Sequence, residues 1–202
     1  MTTSPTDPSG ESVPPSEGAA EPADIWTIGH GTLPADDFAL LLHDFDIQEL
    51  VDVRSFPGSR HNPQYGREEM ERWLPDRGID YRWMVELGGR RKAVADSKHV
   101  ALRHVSFRAY ADYMETPEFL TGVDDLLCLA AERRVAFMCS ESVWWRCHRR
   151  LLADHLTLVR GSRVEHLMHD GRCTLHPPTE GVRLDEDQHR LVYDVGATPE
   201  LV

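Results

Sequence analysis

From residue 25 to about residue 170, short apolar runs alternate with stretches in which apolar positions recur every three or four residues. IWTIG (25–29), ELVDV (49–53), 81–87, RVAFMC (134–139) and 164–169 have the length and residue content of buried strands. PADDFALLL (34–42) reads as a helix, with acids in its first turn and Phe38, Leu41 and Leu42 on one face. Thr32 is its expected N-cap, with Pro34 near the first turn. Further helices are expected over 67–77, over 105–133 with a break near Pro117, and over 147–159 with a stop at Gly161. Asp170-Gly171 marks a turn into a short hairpin. Strands alternating with helices predict an α/β fold. We expect a three-layer, Rossmann-like, mostly parallel sheet of about five strands with helices on both faces.

Ligands of such sheets bind outside the carboxyl ends of the strands. Here those ends read GHGT (29–32), DVRSFPGSR (52–60), LGGRR (87–91) and CSES (139–142). All four carry small, polar or charged residues, and together they predict one pocket.

Composition limits what that pocket belongs to. Residues 1–23 are rich in Pro, Ser, Gly and acid and hold little to bury, so they read as a disordered tail. A single domain is expected over 24–180, and 181–202 reads as a polar extension. No run approaches the ~20 apolar residues of a membrane span, and the start lacks the pattern of a secretory signal. A cytoplasmic location without membrane attachment is expected. The formal charge is −12, with −5 in residues 1–24, −4 in 180–202 and −3 in the remainder. That total argues against nucleic-acid binding through bulk charge and is compatible with a local basic pocket. None of the four cysteines forms a C-x-x-C pair, so free thiols are expected.

The densest chemistry lies in FMCSESVWWRCHRRLLADHL (137–156). Arg146, His148, Arg149 and Arg150 crowd positive charge at a helix start, against the macrodipole. A bound phosphate or carboxylate resolves that conflict; so do solvent exposure or pairing with Glu141 or Asp154. Cys139 and Cys147 are candidate low-pKa thiols beside those cations, or small buried fillers. Their spacing with His148 matches no closed zinc pattern, so no metal ligands are assigned, although a site of these three with His30 is an alternative. Trp144 and Trp145 can stack on a base or pack in the core.

In DVRSFPGSRHNPQYG (52–66), Asp52 and Arg54 lie on the same face of a strand, as an ion pair or as substrate contacts. Ser59, Arg60, Asn62 and Tyr65 follow in a loop stiffened by prolines, suited to positioning a substrate or simply to forming a turn. His30, between two glycines, is a candidate acid or base alongside Asp52 and Glu141. Gly89 and Arg90 offer a phosphate-approaching turn or only a loop.

TIGHGT (27–32), LVDVRSFPGSRHNPQY (50–65), ELGGRR (86–91) and the 137–156 block together resemble the bacterial and archaeal family called domain of unknown function 488 (DUF488), over roughly residues 25–170. That family commonly has serine where Gly31 stands and alanine where Ser140 stands. The resemblance implies a compact α/β domain with a polar pocket and no settled activity. LVDVRS also looks like the opening motif of rhodanese-type sulfurtransferases, but the loop from Cys139 to Arg146 is a poor match to theirs.

Three readings follow. In the first, an enzyme acts on a phosphorylated, nucleotide or nucleic-acid-related substrate. Its anion is held by Arg54, Arg60, Arg90 and Arg149, and His30, Asp52, Cys139 or Glu141 carry the chemistry. The second is a non-catalytic module that binds a small anion or nucleotide. The third is thiol or metal chemistry at Cys139 and Cys147. No cofactor is specified by the sequence.

Overall fold

A computed structural model of the chain describes residues 25–58 and 60–196; the tail expected over 1–23 lies outside the described residues. The elements in order are β1 (Ile25–Gly29), α1 (Ala35–Asp44), β2 (Glu49–Asp52), α2 (Arg67–Trp73), β3 (Asp80–Trp83), α3 (Val105–Tyr113), α4 (Pro117–Glu132), β4 (Val135–Cys139), α5 (Arg149–Leu158), β5 (Val164–Leu167), β6 (Cys173–Leu175), β7 (Val182–Asp185) and β8 (Arg190–Tyr193). Single 3-10 turns cover Pro63–Tyr65, Pro75–Arg77, Val85–Leu87 and Trp144–Arg146. No helix among the described residues is long and apolar enough to cross a membrane.

The first five strands are parallel in the order β3-β2-β4-β1-β5, and β6 adds antiparallel at the β5 edge. The fold is therefore the expected α/β type, with a six-strand, mostly parallel sheet. β6 arises from the turn at Asp170-Gly171, where Met168 N–H bonds the Arg172 carbonyl at 2.9 Å reciprocally to the strand pairing.

Alternation along the strands splits the core into two layers. Ile25, Val51, Val53, Val135, Phe137 and Val164 face α3, α4 and α5, where they meet Tyr110, Phe119, Val123, Leu126, Leu152 and Leu156. Trp26, Ile28, Leu50, Ala136, Met138 and Leu167 face the other way, onto Phe38, Leu41 and Leu42 of α1 and Met70 of α2.

Local chemistry sets several boundaries. The expected break near Pro117 separates α3, which ends at Tyr113, from α4, whose first turn Pro117 occupies, capped by the Thr116 hydroxyl, which accepts Phe119 N–H at 3.3 Å. Thr32 does not cap α1; Pro34 occupies the cap position, and the acids Asp36 and Asp37 face the helix dipole instead. β3 is shorter than expected because the chain winds into the 3-10 turn at Val85–Leu87.

The largest difference is at the C-terminus. Residues read as a polar extension form the β7–β8 hairpin, whose Leu191, Val192 and Tyr193 are buried. Leu191 and Tyr193 join the α3–α5 side of the core. The Tyr193 carbonyl also accepts Ala101 N–H at 2.9 Å, which ties the hairpin to the loop before α3. Three consecutive apolar residues were too few to stand out against the charged residues around them.

Buried histidines, His155 and His166 among them, make the fold acid-sensitive. Burial, reinforced by Arg160, lowers His155 from 6.5 to about 4, and burial, reinforced by His176 and Arg149, lowers His166 to about 2. The unfolded chain therefore binds these protons first. Their contribution to stability is complete above about pH 6.5 and drains as pH falls through that value toward 4. Denaturant unfolding at pH 7.5, 6 and 5 is expected to show a progressive loss of stability, with at least about two protons taken up on unfolding at pH 5. A midpoint unchanged between pH 7.5 and 5 contradicts the neutral burial of both rings.

Candidate functional site

In the sheet order, β1 and β4 are neighbours whose connections leave in opposite directions. β1 leads through α1 to β2 on one side, and β4 leads through α5 to β5 on the other. Such a point opens a crevice at the strand ends. A cavity of about 670 Å³ lies there. Its walls come from the β1 end (His30, Gly31, Thr32), the β2 end (Arg54, Ser55, Phe56, Gly58, Asn62), Gly89 and Arg90, and the β4 end (Cys139, Ser140, Glu141, Ser142). Ser106 and Phe107 of α3, with Arg146 and His148, complete it. All four strand-end motifs thus meet.

Cys139, at the last position of β4, and Cys147 and His148, just before α5, are buried together. Their ligand atoms all lie within 4.8 Å of one another. His148 Nδ1 is 3.8 Å from Cys139 Sγ and 3.6 Å from Cys147 Sγ. Its Nε2 is 3.0 Å from the Val53 carbonyl, which can only accept; in the neutral ring this leaves the Nδ1 lone pair aimed at both sulfurs. Gly89 permits this placement, because a Cβ there would collide with the imidazole of His148. The Glu141 carboxylate accepts the Cys139 thiol at 3.0 Å. The sulfurs differ in acidity. Cys139 is held well above the ordinary thiol range by its hydrogen bond to Cys147 and by burial. Burial opposes ionisation of Cys147 too, but the hydrogen bond from Cys139 and the fields of His148 and Arg149 outweigh it and hold Cys147 well below that range.

Asp52 and Arg54 form a closed unit. Arg54 Nε and Nη2 donate to the two Asp52 oxygens at 2.8 and 2.6 Å, and Arg54 N–H adds a third bond at 3.0 Å. Arg54 also donates to the Tyr65 carbonyl at 2.8 Å, and Tyr81 hydroxyl donates to Asp52 at 2.7 Å. Asp52 is fully buried and does not line the cavity. Its geometry is that of a counter-ion, not of a base facing a substrate. Arg54 touches the cavity, but its guanidinium is committed to Asp52.

His30 lines the cavity with both nitrogens engaged. Nδ1 bonds the Gly31 carbonyl at 2.8 Å, and Nε2 lies 3.3 Å from Arg54 Nη1. Burial, followed by Arg54, lowers it to about 4, and its ring stacks on Tyr65 at 4.0 Å. It stands outside the two-cysteine cluster.

Arg149 is buried and turned away from the cavity. Nη1 donates to the Thr27 hydroxyl at 3.0 Å, Nη2 donates to the Glu141 carbonyl, and Nε has no partner. Gly29 makes room for this, since a Cβ there would strike the Glu141 carbonyl and the guanidinium. From Thr27 a polar chain continues inward. Thr27 Oγ1 lies 3.0 Å from His166 Nδ1, His166 Nε2 lies 2.9 Å from His176 Nδ1, and His176 Nε2 lies 2.9 Å from Asp154. Tyr193 hydroxyl donates to the other Asp154 oxygen at 3.0 Å.

The remaining candidates separate by position. Asn62, Gly89 and Arg90 line the cavity; Arg60 is exposed outside its lining, and Ser59 lies outside the described residues. Tyr65 is a buried support whose hydroxyl donates to the Leu33 carbonyl at 2.9 Å. Trp144 packs inward, stacked on His166 at 4.2 Å, while Trp145 is exposed. Ser55, Phe56, Ser106, Phe107, Ser140 and Ser142 are additional lining residues. Ser55 and Ser140 sat inside motifs already singled out. Ser106 and Phe107 begin a helix far from them in sequence and carried no signal.

The family model described as "Domain of unknown function DUF488" matches residues 34–156, more than half of the chain. The chain belongs to this family. The matched span contains Asp52, Cys139, Glu141, Cys147 and His148, while TIGHGT (27–32) precedes it. No curated protein and no solved structure gives a significant match.

Removing one partner of a buried ion pair leaves the other charge uncompensated, at a cost of about 3–5 kcal/mol. Asp52→Ala is expected to lower unfolding stability by that amount, read from urea denaturation. A loss below about 1 kcal/mol would show that Asp52 does not serve as the counter-ion of Arg54.

Proposed function

We propose that the chain is a metal-dependent hydrolase in which Cys139, Cys147 and His148 hold a divalent ion of the zinc class beside an anion-binding cavity. The observation that carries this reading is the spacing of the cluster. Zinc bonds of about 2.3 Å to sulfur and about 2.0–2.1 Å to nitrogen, at a tetrahedral angle, separate a sulfur and a nitrogen by about 3.6 Å. The separations from His148 Nδ1 are 3.6 and 3.8 Å. The donor set is soft, two thiols and an imidazole, and the Val53 carbonyl supplies the outer contact that orients the ring. Three protein ligands with an approach from a cavity is the pattern of a catalytic, not a structural, zinc site.

Such an ion supplies an activated water at neutral pH. Glu141 is next to Cys139 and faces the cavity. It takes the proton from the attacking water and passes it to the leaving group, so that the water's oxygen joins the substrate and its protons are conserved. Arg90 and Arg146 line the same cavity, and among the described residues neither has a carboxylate partner in an ion pair. They are the cations left to meet an anionic substrate, the role that Arg149 and Arg54 cannot take from inside the fold. Phosphorylated and nucleotide substrates fit this pocket chemistry.

A nucleophilic thiol is the second reading, favoured by the low pKa of Cys147. It is the weaker one, because Cys147 is buried and absent from the cavity lining.

Protein expressed with zinc is expected to carry about one equivalent of metal per chain. Cobalt substitution should give thiolate-to-cobalt absorption. The Cys139→Ser/Cys147→Ser variant should lose both signals while keeping native circular dichroism. A folded wild-type chain that holds no zinc or cobalt sinks the proposal. Glu141→Gln is expected to keep the metal and lose activity by about 100- to 10,000-fold on any substrate that the wild type turns over. Unchanged turnover would remove Glu141 from the proton transfer.

A further inference from the structure

The cavity does not end at Arg146. A second cavity of about 750 Å³ shares Ser106, Phe107 and Arg146 with the first and runs past Arg103, His104, Trp145 and Arg150 to Glu180. The two form one groove across the N-terminal turn of α3.

The lining of this groove is unlike the rest of the molecule. Arg90, Arg103, Arg146 and Arg150 contribute four positive charges against two from Glu141 and Glu180, in a chain whose net charge is −12. Among the described residues no carboxylate forms an ion pair with any of these arginines, and Arg150 Nε is buried with no hydrogen-bond partner. Aromatic side chains are interleaved with them. Phe56 is 73% exposed and Trp145 is 46% exposed. The Arg90 guanidinium lies over Phe56 at 5.7 Å, and that of Arg150 lies over Phe107 at 4.8 Å. Exposed aromatic faces beside unpaired arginines serve a strand whose bases are unstacked and whose phosphates are regularly spaced. A duplex hides its base faces. A lone phosphate needs no second cavity and no tryptophan.

We propose that this groove binds single-stranded nucleic acid, with Trp145 stacking on a base, Arg103, Arg146 and Arg150 meeting the backbone, and the strand leading one nucleotide into the first cavity. The strand's passage through the groove is independent of any metal. Only the chemistry at its inner end rests on the reading of Cys139, Cys147 and His148 given above.

The test is fluorescence anisotropy of a labelled mixed-sequence 10-mer, as DNA and as RNA, with the full-length protein, repeated with the duplex form and with AMP as competitor. Single strands of one or both kinds are expected to bind, with affinity falling as salt rises and a log–log slope of about −2 for the three phosphate contacts. Trp145→Ala should weaken binding by about 5- to 150-fold, the loss of one stacked base. Arg103→Ala, on the exposed rim, should weaken it and flatten the salt slope by about 0.7. Absence of binding at 50 mM salt, equal affinity for duplex, or unaltered affinity in both variants overturns the proposal. Full competition by AMP at concentrations equal to the oligonucleotide also overturns it. Metal analysis of the wild type beside the same titration, repeated with Cys139→Ser/Cys147→Ser, separates the two claims: a wild-type chain that binds the strand but holds no zinc or cobalt sinks the hydrolase reading alone, a metal-loaded protein that ignores every strand sinks this one alone, and strand binding lost with the two cysteines in a folded variant overturns the metal-independent groove.

Discussion

A guanidinium buried at the centre of the sheet ends is the constraint around which the site is organised. Arg149 is always cationic, and removing such a charge from water is costly unless its donors are taken up. Its bonds to the Thr27 hydroxyl and the Glu141 carbonyl fix the start of α5 against β1 and against the loop after β4. Among the described residues no carboxylate forms an ion pair with it. Its field reaches the Cys147 sulfur, whose acidity Arg149 raises. The second compensation is indirect. With His166 neutral, the chain from Arg149 has one consistent direction. The guanidinium donates to Thr27, Thr27 donates to His166, His166 to His176 and His176 to Asp154. A cation and a carboxylate are thereby joined through polarised groups, and each hydrogen bond in such a chain strengthens the next.

The same constraint explains the glycines. TIGHGT and LGGRR look like loops built to let a ligand's phosphate approach the backbone. Gly29 instead clears space for the Glu141 carbonyl and Arg149, and Gly89 for the His148 ring. Close approach is what these positions provide, but it is approach of protein to protein. Among the charged residues facing the cavity, Glu141, Arg90 and Arg146 form no ion pair within the described residues.

Much of this was legible in the sequence because it rested on periodicity and on where strands end. The parallel α/β order, the meeting of the four motif blocks and the presence of Cys139, Glu141 and His148 at one wall all follow from apolar runs punctuated by polar strand ends. What was not legible was direction. Arg149 and Arg90 are equally basic in the sequence, and only packing turns one inward and the other to the cavity. Asp52 and Arg54 were read as a pair or as substrate contacts, and the bidentate geometry decides for the pair. The Cys139–Cys147–His148 cluster escaped spacing rules because its ligands come from a strand end and a helix start, with a 3-10 turn between them. The β7–β8 hairpin was hidden for another reason. Its strands are edge-like and rich in charge, and their few apolar residues find a partner only through contacts with distant parts of the chain.

That hairpin changes how the family match should be understood. The matched span, 34–156, holds every ligand atom of the cysteine–histidine cluster and the glutamate beside it. It does not hold Thr27, His166, His176 or Tyr193, which complete the polar chain from Arg149 to Asp154. Nor does it hold β1, the strand that pairs with β4 and supplies the other lip of the crevice. Cut to the matched span, the sheet would lose its central strand, and Arg149 and Asp154 would be left as buried charges with their mediators gone. The cluster is therefore a local motif whose geometry is set from a distance. Its ligands are contributed by the family segment, and the polar chain behind them is completed by β1 and by the residues that follow α5.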